Sequence, residues 1–482
     1  MKDYTINKNI PLEPVQNEVI EFLSKRPRAI NASATGLGKT YATLTLAVHF
    51  MTRHPEYQCI ILCPAKANKA FKRELNTKLF ERFSLYTASK ASVDPKSRFH
   101  IFNYSSLHKY FDTILSIKGS GQVFFLVDES HYLQNPESQL YKSARLVLSL
   151  GQIRWFMTAT PLGNSLEGFY WMMDLLNPGC LNSIEWFKNR YQIIEYRKMT
   201  RRGRLVKIPE VVGYRNLAEL KAFARNYIII RKRDYNLQFF YRSVETEPLV
   251  MSLYKEAARG LSYEMTDSDG NKITTIRGHG ARLHDLQRVL DNCHPQLGGT
   301  TFSNKEKELC KLIMEKTKIN ESLLIYCDYY DTIDRLEYVL STLQHKMNIS
   351  KIFKITGKQP PKERAKVEDQ LIPRSIVIVS SAGCESINLQ KANNVCFYDT
   401  PFAVNDVIQM VGRVARMDST YDTMSVYFLE YKGTIDTYKK ELIMKHSTLI
   451  DSVLRRETNL PTEVLEIDTK TSREMKNKYL WK

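Results

Sequence analysis

The sequence has no run approaching the twenty or so consecutive apolar residues of a membrane-spanning helix, which argues against an integral helical membrane protein and for no membrane partner. Met1 to Ile10 contains no apolar core of the kind a secretory signal needs, so the expected location is cytoplasmic. Cysteine is sparse: there are eight, and Cys59 and Cys63 are separated by three residues with no second Cys/His pair at zinc spacing. No structural zinc is expected. Most cysteines sit in apolar runs, as Cys327 does after Leu323-Leu324-Ile325-Tyr326, and read as buried thiols of a reducing compartment. Low-complexity segments and internal sequence repeats are absent. Acidic residues are the minority charge: Asp and Glu number 52 against 70 Lys and Arg, a net +18. That excess suits a polyanionic partner, because cationic side chains displace condensed counterions from phosphates. On charge alone, a basic protein with no such partner fits equally well.

What is present is a chain of 482 residues, 43% apolar and 25% charged, enough for two or three cores. Short apolar runs at Cys59 to Cys63, Phe124 to Val127, Trp155 to Met157, Leu323 to Cys327, Ile376 to Val379 and Val395 to Tyr398 are bounded by turn or polar residues. They read as buried parallel strands, and their alternation with helical stretches implies an α/β fold. Two such series occur, one ending near Thr160 and one starting near Leu323, with a charged and mostly helical region between them. Thr266 to Lys272 reads as a turn or exposed loop.

The segment Ser33-Ala34-Thr35-Gly36-Leu37-Gly38-Lys39-Thr40 follows the apolar run Ala29 to Ala32 and opens the helical pattern Tyr41 to Met51. Strand, glycine-rich loop and helix in that order are the context of a phosphate-binding loop. Gly36 and Gly38 let backbone amides approach phosphate oxygens, and the helix N-terminus adds a favourable dipole. Lys39 is expected to reach the β- and γ-phosphates of ATP, and Thr40 to ligate Mg2+. Farther on, the strand Val123 to Val127 delivers Asp128-Glu129-Ser130-His131. Asp128 is expected in the Mg2+ shell and Glu129 beside the attacking water. Taken alone, that segment is an acidic turn after a core strand; a phosphate loop upstream makes the catalytic reading the stronger one.

These motifs together resemble helicase superfamily two, and in detail its Swi/Snf branch. Asp128 to Ser138, running through His131, Asn135 and Pro136, is similar to the extended acidic motif of that branch. Met157-Thr158-Ala159-Thr160-Pro161 through Glu167 resembles its motif III, Cys63 to Lys66 its motif Ia, and Asn103 to Leu107 its motif Ib. Pro14-Val15-Gln16 is similar to the leading element whose glutamine recognises adenine. In the second series, Leu323 to Cys327 resembles motif IV, Ser380 to Leu389 motif V and Gln409 to Arg416 motif VI, with Gly433 to Asp436 following. The ordered set covers residues 12 to 450. Two departures are visible: Ser386 stands where the branch usually has glycine, and Met417-Asp418 follows motif VI. With nearly the whole chain occupied by motor motifs, these favour a compact translocase similar to phage or bacterial helicases that migrate branched DNA.

The resemblance implies two RecA-like lobes with parallel sheets and helical Swi/Snf-like insertions. Lobe 1 is expected at 1–232 with an insertion at 165–230, lobe 2 at 233–450 with an insertion at 236–300, and a C-terminal tail at 451–482. It also implies ATP bound in the cleft between lobes, with Arg413 and Arg416 as fingers on the γ-phosphate; three residues apart, they share a face if the segment is helical. Lys66, Asn103, Tyr104, Ser380 and Ser381 are expected to grip phosphates, although a strand-end turn also accounts for the two serines. Arg197, Lys198, Arg201, Arg202 and Arg204 fit either a contact to the DNA backbone or branch point, or a solvated basic loop. His294 and Cys293 read as structural. The expected function is a monomeric, ATP- and Mg2+-dependent DNA translocase or helicase. It would act on duplex or branched DNA in replication, recombination or repair, in a bacterial or phage-infected cell. The alternatives are an RNA-dependent ATPase and a nucleic-acid-binding scaffold with a regulatory nucleotide site.

Overall fold

The computed structural model describes residues 5–162, 165–201, 204–231, 236–259, 263–266, 272–275, 279–293, 301–381, 383, 389, 391–402, 404–414, 421, 423–454 and 464–466. The chain divides into two units, Met1–Arg233 with Thr448–Ile467, and Asp234–Ser447.

In the first unit, strands β1 (Arg28–Asn31), β2 (Tyr57–Cys63), β3 (Phe83–Tyr86), β4 (Ala91–Ser92), β5 (Phe99–Asn103), β6 (Gln122–Val127) and β7 (Arg154–Met157) precede a ribbon of β8 (Gln192–Arg201) and β9 (Arg204–Arg215). A last strand, β10 (Ile228–Ile229), completes the main sheet in the order β10-β1-β7-β6-β2-β5-β3-β4. Every pairing in it is parallel except β3 with β4. The strand period of two sorts the apolar runs onto opposite faces. Ile60, Leu62, Val123, Phe125 and Val127 enter one core, and Cys59, Ile61, Cys63, Phe124 and Leu126 the other. Both faces are therefore covered, which is why these runs are continuously apolar rather than alternating.

Helices α1 (Pro14–Ser24), α2 (Lys39–Arg53), α3 (Asn68–Arg73), α4 (Phe111–Gly119), α5 (Gln139–Leu148), α6 (Leu166–Leu176), α7 (Ile184–Tyr191) and α8 (Leu217–Tyr227) complete this unit. Serine caps start three of them: Ser138 accepts from the Tyr141 amide at 3.1 Å, Ser165 from Gly168 at 3.0 Å and Ser183 from Trp186 at 3.2 Å. The insertion expected as helical at 165–230 is helical only at its ends. Its middle is the β8–β9 ribbon, where branched residues such as Ile193, Ile194, Val206, Ile208 and Val211 favour extended backbone.

The second unit holds a six-stranded, all-parallel sheet of β11 (Asn236–Val244), β14 (Leu323–Tyr326), β15 (Lys351–Ile355), β16 (Ser375–Val379), β17 (Asn394–Phe397) and β18 (Thr423–Tyr431). Its order is β11-β18-β17-β14-β16-β15. Between β11 and β14 lie α9 (Pro248–Arg259), a short antiparallel pair β12 (Tyr263–Thr266) and β13 (Lys272–Thr275), α10 (His279–Asp291) and α11 (Asn304–Lys318). The expected insertion at 236–300 thus begins with a strand of the main sheet rather than a helix. Asn236–Val244 pairs along its whole length with Thr423–Tyr431. Helices α12 (Tyr330–Thr342), α13 (Pro361–Gln370), α14 (Val404–Val414) and α15 (Ile435–Leu454) follow. In the stretch expected as a tail, α15 continues to Leu454 and β19 (Val464–Glu466) pairs antiparallel with Gly213–Arg215 of β9. Among the described residues no helix is long and apolar enough to cross a membrane.

Candidate nucleotide and nucleic-acid site

The glycine-rich loop leaves β1 and enters α2 through two left-handed residues, Gly36 at φ 81° and Gly38 at φ 69°. Only glycine takes those angles without strain, and Gly38 is also sterically closed: a Cβ there would lie 2.3 Å from Gln16 Nε2. Gln16 is held for this approach. Its Oε1 accepts from the Glu13 amide at 3.0 Å, closing a capping box on α1, and its Nε2 donates to the Leu37 carbonyl at 3.2 Å. The loop is braced from behind by the chain around β10. The Ala32 amide donates to the Ile229 carbonyl and the Ala34 amide to the Arg231 carbonyl, both at 2.8 Å. Lys39 Nζ donates to the Ser33 and Ala34 carbonyls at 2.8 and 3.1 Å, folded along the loop at the N-terminus of α2. Thr40 is the second residue of that helix.

β6 carries Asp128 and Glu129 to the same end of the sheet as the loop after β1, two parallel strands away. The Asp128 amide donates to the Leu62 carbonyl at 2.9 Å, and the buried Tyr104 hydroxyl donates to the Asp128 carbonyl. Glu129 turns the chain at φ 49°. Of the seven described non-glycine residues with positive φ, four are asparagine, which tolerates that region; Glu129 is not, and its neighbours must hold it there. Glu129 Oε2 is 3.3 Å from His131 Nδ1, which is 3.1 Å from Thr158 Oγ1. That hydroxyl also accepts from the Thr160 amide at 3.1 Å, and the Thr158 amide donates to the Asn31 carbonyl at 3.1 Å. The motif III threonines therefore join the acidic turn to the strand that launches the phosphate loop.

The two carboxyls are pushed in opposite directions. Burial, then the adjacent Glu129 charge, raise Asp128 to about 7 against the pull of Lys39. Burial would raise Glu129 too, but the His131 hydrogen bond and the charges of His131, Lys39 and Lys66 outweigh it and hold the group near 2. The turn thus favours the ionised form of Glu129 and disfavours that of Asp128. The residues fit a nucleotide–metal group on three counts. The loop after β1 is a backbone cradle that a Cβ would close. The buried Ser33 and Thr160 hydroxyls lack hydrogen-bond partners. A high-lying carboxyl faces a lysine across the site. Gln16, Gly36, Gly38, Lys39 and Thr40 would hold ATP, and Thr40 and Asp128 the Mg2+.

The expected phosphate grips separate into two groups. Lys66 is partly exposed; its Nζ donates to the Tyr132 hydroxyl at 3.2 Å, and Tyr132 stacks on His131 with ring centroids 4.7 Å apart. Ser381 is exposed, its amide donating to Asp328 Oδ1 at 3.4 Å. The side chains of Asn103, Tyr104 and Ser380 are engaged inside the fold. Asn103 is 1% exposed and exchanges hydrogen bonds of 2.8 and 3.0 Å with Asn68. Tyr104 anchors the Asp128 carbonyl as described. Ser380 Oγ accepts from the Gly383 amide at 3.0 Å in a tight strand-end turn. Sequence reasoning missed Asn68, Tyr132 and the β10 brace. Tyr132 had a visible signal as an aromatic beside the acidic motif, whereas a two-residue strand has almost none.

In the second unit, Arg413 is half-buried on α14, its carbonyl accepting from the Leu389 amide at 3.0 Å. Arg416 and Arg202 lie outside the described residues, and Arg201 is described only as a backbone position of β8. Among the described residues no group of three or more His, Cys, Asp or Glu is placed to hold a metal ion, and the seven described cysteines are free thiols.

Comparison with known proteins gives the family. A model of the SNF2-related domain matches residues 15–244, and one of the helicase conserved C-terminal domain matches residues 304–418. The chain is similar to an uncharacterized ATP-dependent helicase, YqhH, of Bacillus subtilis, with 24% identity over 93% of this chain and 80% of that protein. It is 22% identical to the CHD3-type chromatin-remodeling factor PICKLE of Arabidopsis thaliana, over 90% of this chain and 34% of that protein. With the human DNA repair and recombination protein RAD54-like the identity is 23%, over 88% of this chain and 64% of that protein. The chain therefore spans most of the bacterial relative but less than two thirds of the two eukaryotic ones. Among solved structures, a Sulfolobus solfataricus SWI2/SNF2 ATPase core in complex with dsDNA aligns over 95% of this chain and 99% of that one, at 19% identity and a TM-score of 0.43.

Proposed function

The chain belongs to the SNF2-related, helicase-type family of nucleic-acid-dependent ATPases, and from that premise we propose that it is a DNA translocase that remodels or unwinds forks and junctions in recombination or repair. The observation that carries the reading is the set of Lys39, Asp128, Glu129, His131 and Thr158 in the segments that follow β1, β6 and β7, with Gln16 of α1 bonded to the loop after β1. A scaffold with an inactive nucleotide site has no need of an ionised Glu129 locked to motif III. The RAD54-like proteins support the repair and recombination role, and the +18 charge supports a polyanionic track.

When bound, Mg2+ would neutralise phosphate charge and polarise the γ-phosphoryl group. Asp128 and Thr40 hold it, Lys39 leaves the Ser33 and Ala34 carbonyls for phosphate oxygens, and Gln16 reads the adenine edge. Glu129, kept anionic by His131, would orient the attacking water and accept its proton as the water oxygen bonds the γ-phosphorus and the bridging P–O bond to the β-phosphate breaks, releasing ADP. Lys66 and Ser381 contact the DNA backbone, so tracking is largely independent of sequence.

The test is ATP hydrolysis with no nucleic acid, single-stranded DNA, linear duplex, a fork, a four-way junction and RNA, alongside Glu129→Gln. Stimulation strongest on forks or junctions and lost in the variant is the expected result. Stimulation by RNA alone would replace this reading with an RNA-dependent ATPase, and binding without turnover on every substrate would leave a scaffold.

A further inference from the structure

The β8–β9 ribbon is not used by the nucleotide site. Its base is clamped. Glu219 of α8 accepts from Arg190 Nε at 3.1 Å and from the Tyr191 hydroxyl at 2.9 Å, Asn216 Nδ2 donates to the Arg190 carbonyl at 2.8 Å, and β19 flanks Gly213–Arg215. Beyond the irregularity at Ile193/Ile194 the two strands pair only with each other among the described residues, and Glu195, Tyr196, Lys207 and Pro209 are all exposed. From Gln192 to Arg201, at about 3.3 Å per residue, the ribbon extends about 30 Å.

Its charge pattern is unusual for a structural hairpin. Residues 196–209 contain six cations and no acid. The register sets Lys198 opposite Lys207 and Arg201 opposite Arg204. Like charges directly opposite each other weaken an antiparallel pair, and a two-stranded ribbon is marginal to begin with. The only acids on the ribbon, Glu195 and Glu210, are at positions opposite each other near its base. The period of two places Arg197, Arg201 and Arg204 at positions of one face and Lys198 and Lys207 at positions of the other. Both faces therefore carry cationic positions, an arrangement suited to a polyanion on each side. A two-stranded ribbon also has the width that a DNA major groove admits.

We propose that the β8–β9 ribbon is a nucleic-acid-binding arm that enters between two phosphate backbones, as where duplex arms diverge at a fork or junction. Phosphates on both sides would offset the like charges that the register sets at the Lys198–Lys207 and Arg201–Arg204 positions. A linear duplex offers the arm its groove but not two separate arms, so the contribution is greater on branched DNA. The proposal rests on the DNA-motor reading for its substrate, but its test is a binding measurement that does not need turnover.

The experiment compares the full chain with a variant carrying Arg197→Ala, Lys198→Ala, Arg201→Ala, Arg204→Ala and Lys207→Ala. Fluorescence anisotropy would be recorded on a fork and on a linear duplex of equal length over a salt series, with the melting temperature as the folding control. The expected result is a loss of affinity at least tenfold larger on the fork. The slope of log K against log salt on the fork should fall by about 3 to 5, at about 0.9 per phosphate contact removed. Arg197→Lys, Arg201→Lys and Arg204→Lys together retain the slope. If the five-alanine variant does not fold, Lys207→Glu alone, at an exposed position, should still weaken fork binding several-fold. An unchanged fork slope, or equal losses on fork and linear duplex, would overturn the proposal. A wild-type protein that binds forks through the arm yet shows no DNA-dependent hydrolysis would instead overturn the motor reading and leave the arm standing.

Discussion

His131 stands between Glu129 and Thr158, its Nδ1 3.3 Å from the carboxylate and 3.1 Å from the hydroxyl. The imidazole thereby ties Glu129 to the segment that follows β7. Replacing His131 with alanine should lower kcat for ATP about 10- to 100-fold, the range seen when a group that orients a catalytic residue is removed, with little change in KM. Thr158→Val keeps the volume but removes the hydroxyl partner of both His131 and the Thr160 amide, and should act in the same direction. Steady-state kinetics on both variants decide this; a selective rise in KM would show that His131 serves nucleotide binding instead.

Gly38→Ala tests the loop. Alanine at φ 69° carries strain of about 1 to 3 kcal/mol, and its Cβ would strike Gln16 Nε2. Affinity for a non-hydrolysable ATP analogue should fall at least tenfold. Adding Gln16→Ala removes the clash but not the strain, so the double variant should recover thermal stability in part without recovering preference for adenine over guanine nucleotides. Calorimetric titration with both nucleotides reads the two effects separately.

Legibility of the sequence followed the range of the interactions. The parallel strands, the phosphate loop and the acidic turn were readable because each is local: an apolar run, two glycines, a carboxylate pair at a strand end. The bond between Asn103 and Asn68 could not be read from the sequence, because the partners lie 35 residues apart and only the fold brings them together. The bond from the Gly383 amide to Ser380 matches the strand-end turn that the sequence offered as one of two readings there. The β8–β9 ribbon was hidden under its charge: alternating Ile193, Met199, Val206 and Ile208 are interspersed with cations that read as a loop. Ile228–Ile229 is too short to announce itself, yet it carries the backbone that braces the phosphate loop.

His100 supplies a pH dependence in the first unit. It is 6% exposed, its Nε2 lies 2.8 Å from Gln58 Oε1, and burial lowers it from 6.5 to about 4. The unfolded chain takes up this proton near pH 6.5, while the folded one stays neutral until near pH 4. Acidification across that window therefore favours the unfolded state, and the stability present above pH 6.5 is progressively lost, by about 3 kcal/mol at about 1.4 kcal/mol per unit. His100→Gln removes the titration and should flatten the loss between pH 6.5 and 4 in denaturant unfolding of the first unit. An unchanged slope would assign the acid sensitivity to other groups.

Lys305 carries the last prediction. With Asp291 and Asp436 it forms a fully buried set, Nζ lying 2.8 Å from Asp291 Oδ1 and 2.9 Å from Asp436 Oδ2, all three side chains at 0% exposure. Gln287 Nε2 donates to both carboxylates, at 2.7 and 2.8 Å, so α10, α11 and α15 meet at one charge cluster. Burial pushes Asp291 up to about 7 even with the ammonium beside it. Lys305→Met should therefore leave two buried carboxyls facing each other and destabilise the second unit by about 3 to 5 kcal/mol, far more than the lost volume would cost. The carboxyls are not equivalent. Asp436 also accepts from the Tyr431 amide at 3.1 Å, so a leucine there would strand a backbone donor, whereas asparagine keeps an acceptor in place. Combining Lys305→Met with Asp291→Asn and Asp436→Asn removes the unpaired charge and should restore most of the loss. Hydrogen exchange on α10 and α11 across the three proteins separates the alternatives. Recovery in the triple variant shows that unpaired charge was the cost. No recovery shows that the lysine was needed for the packing of α11 itself.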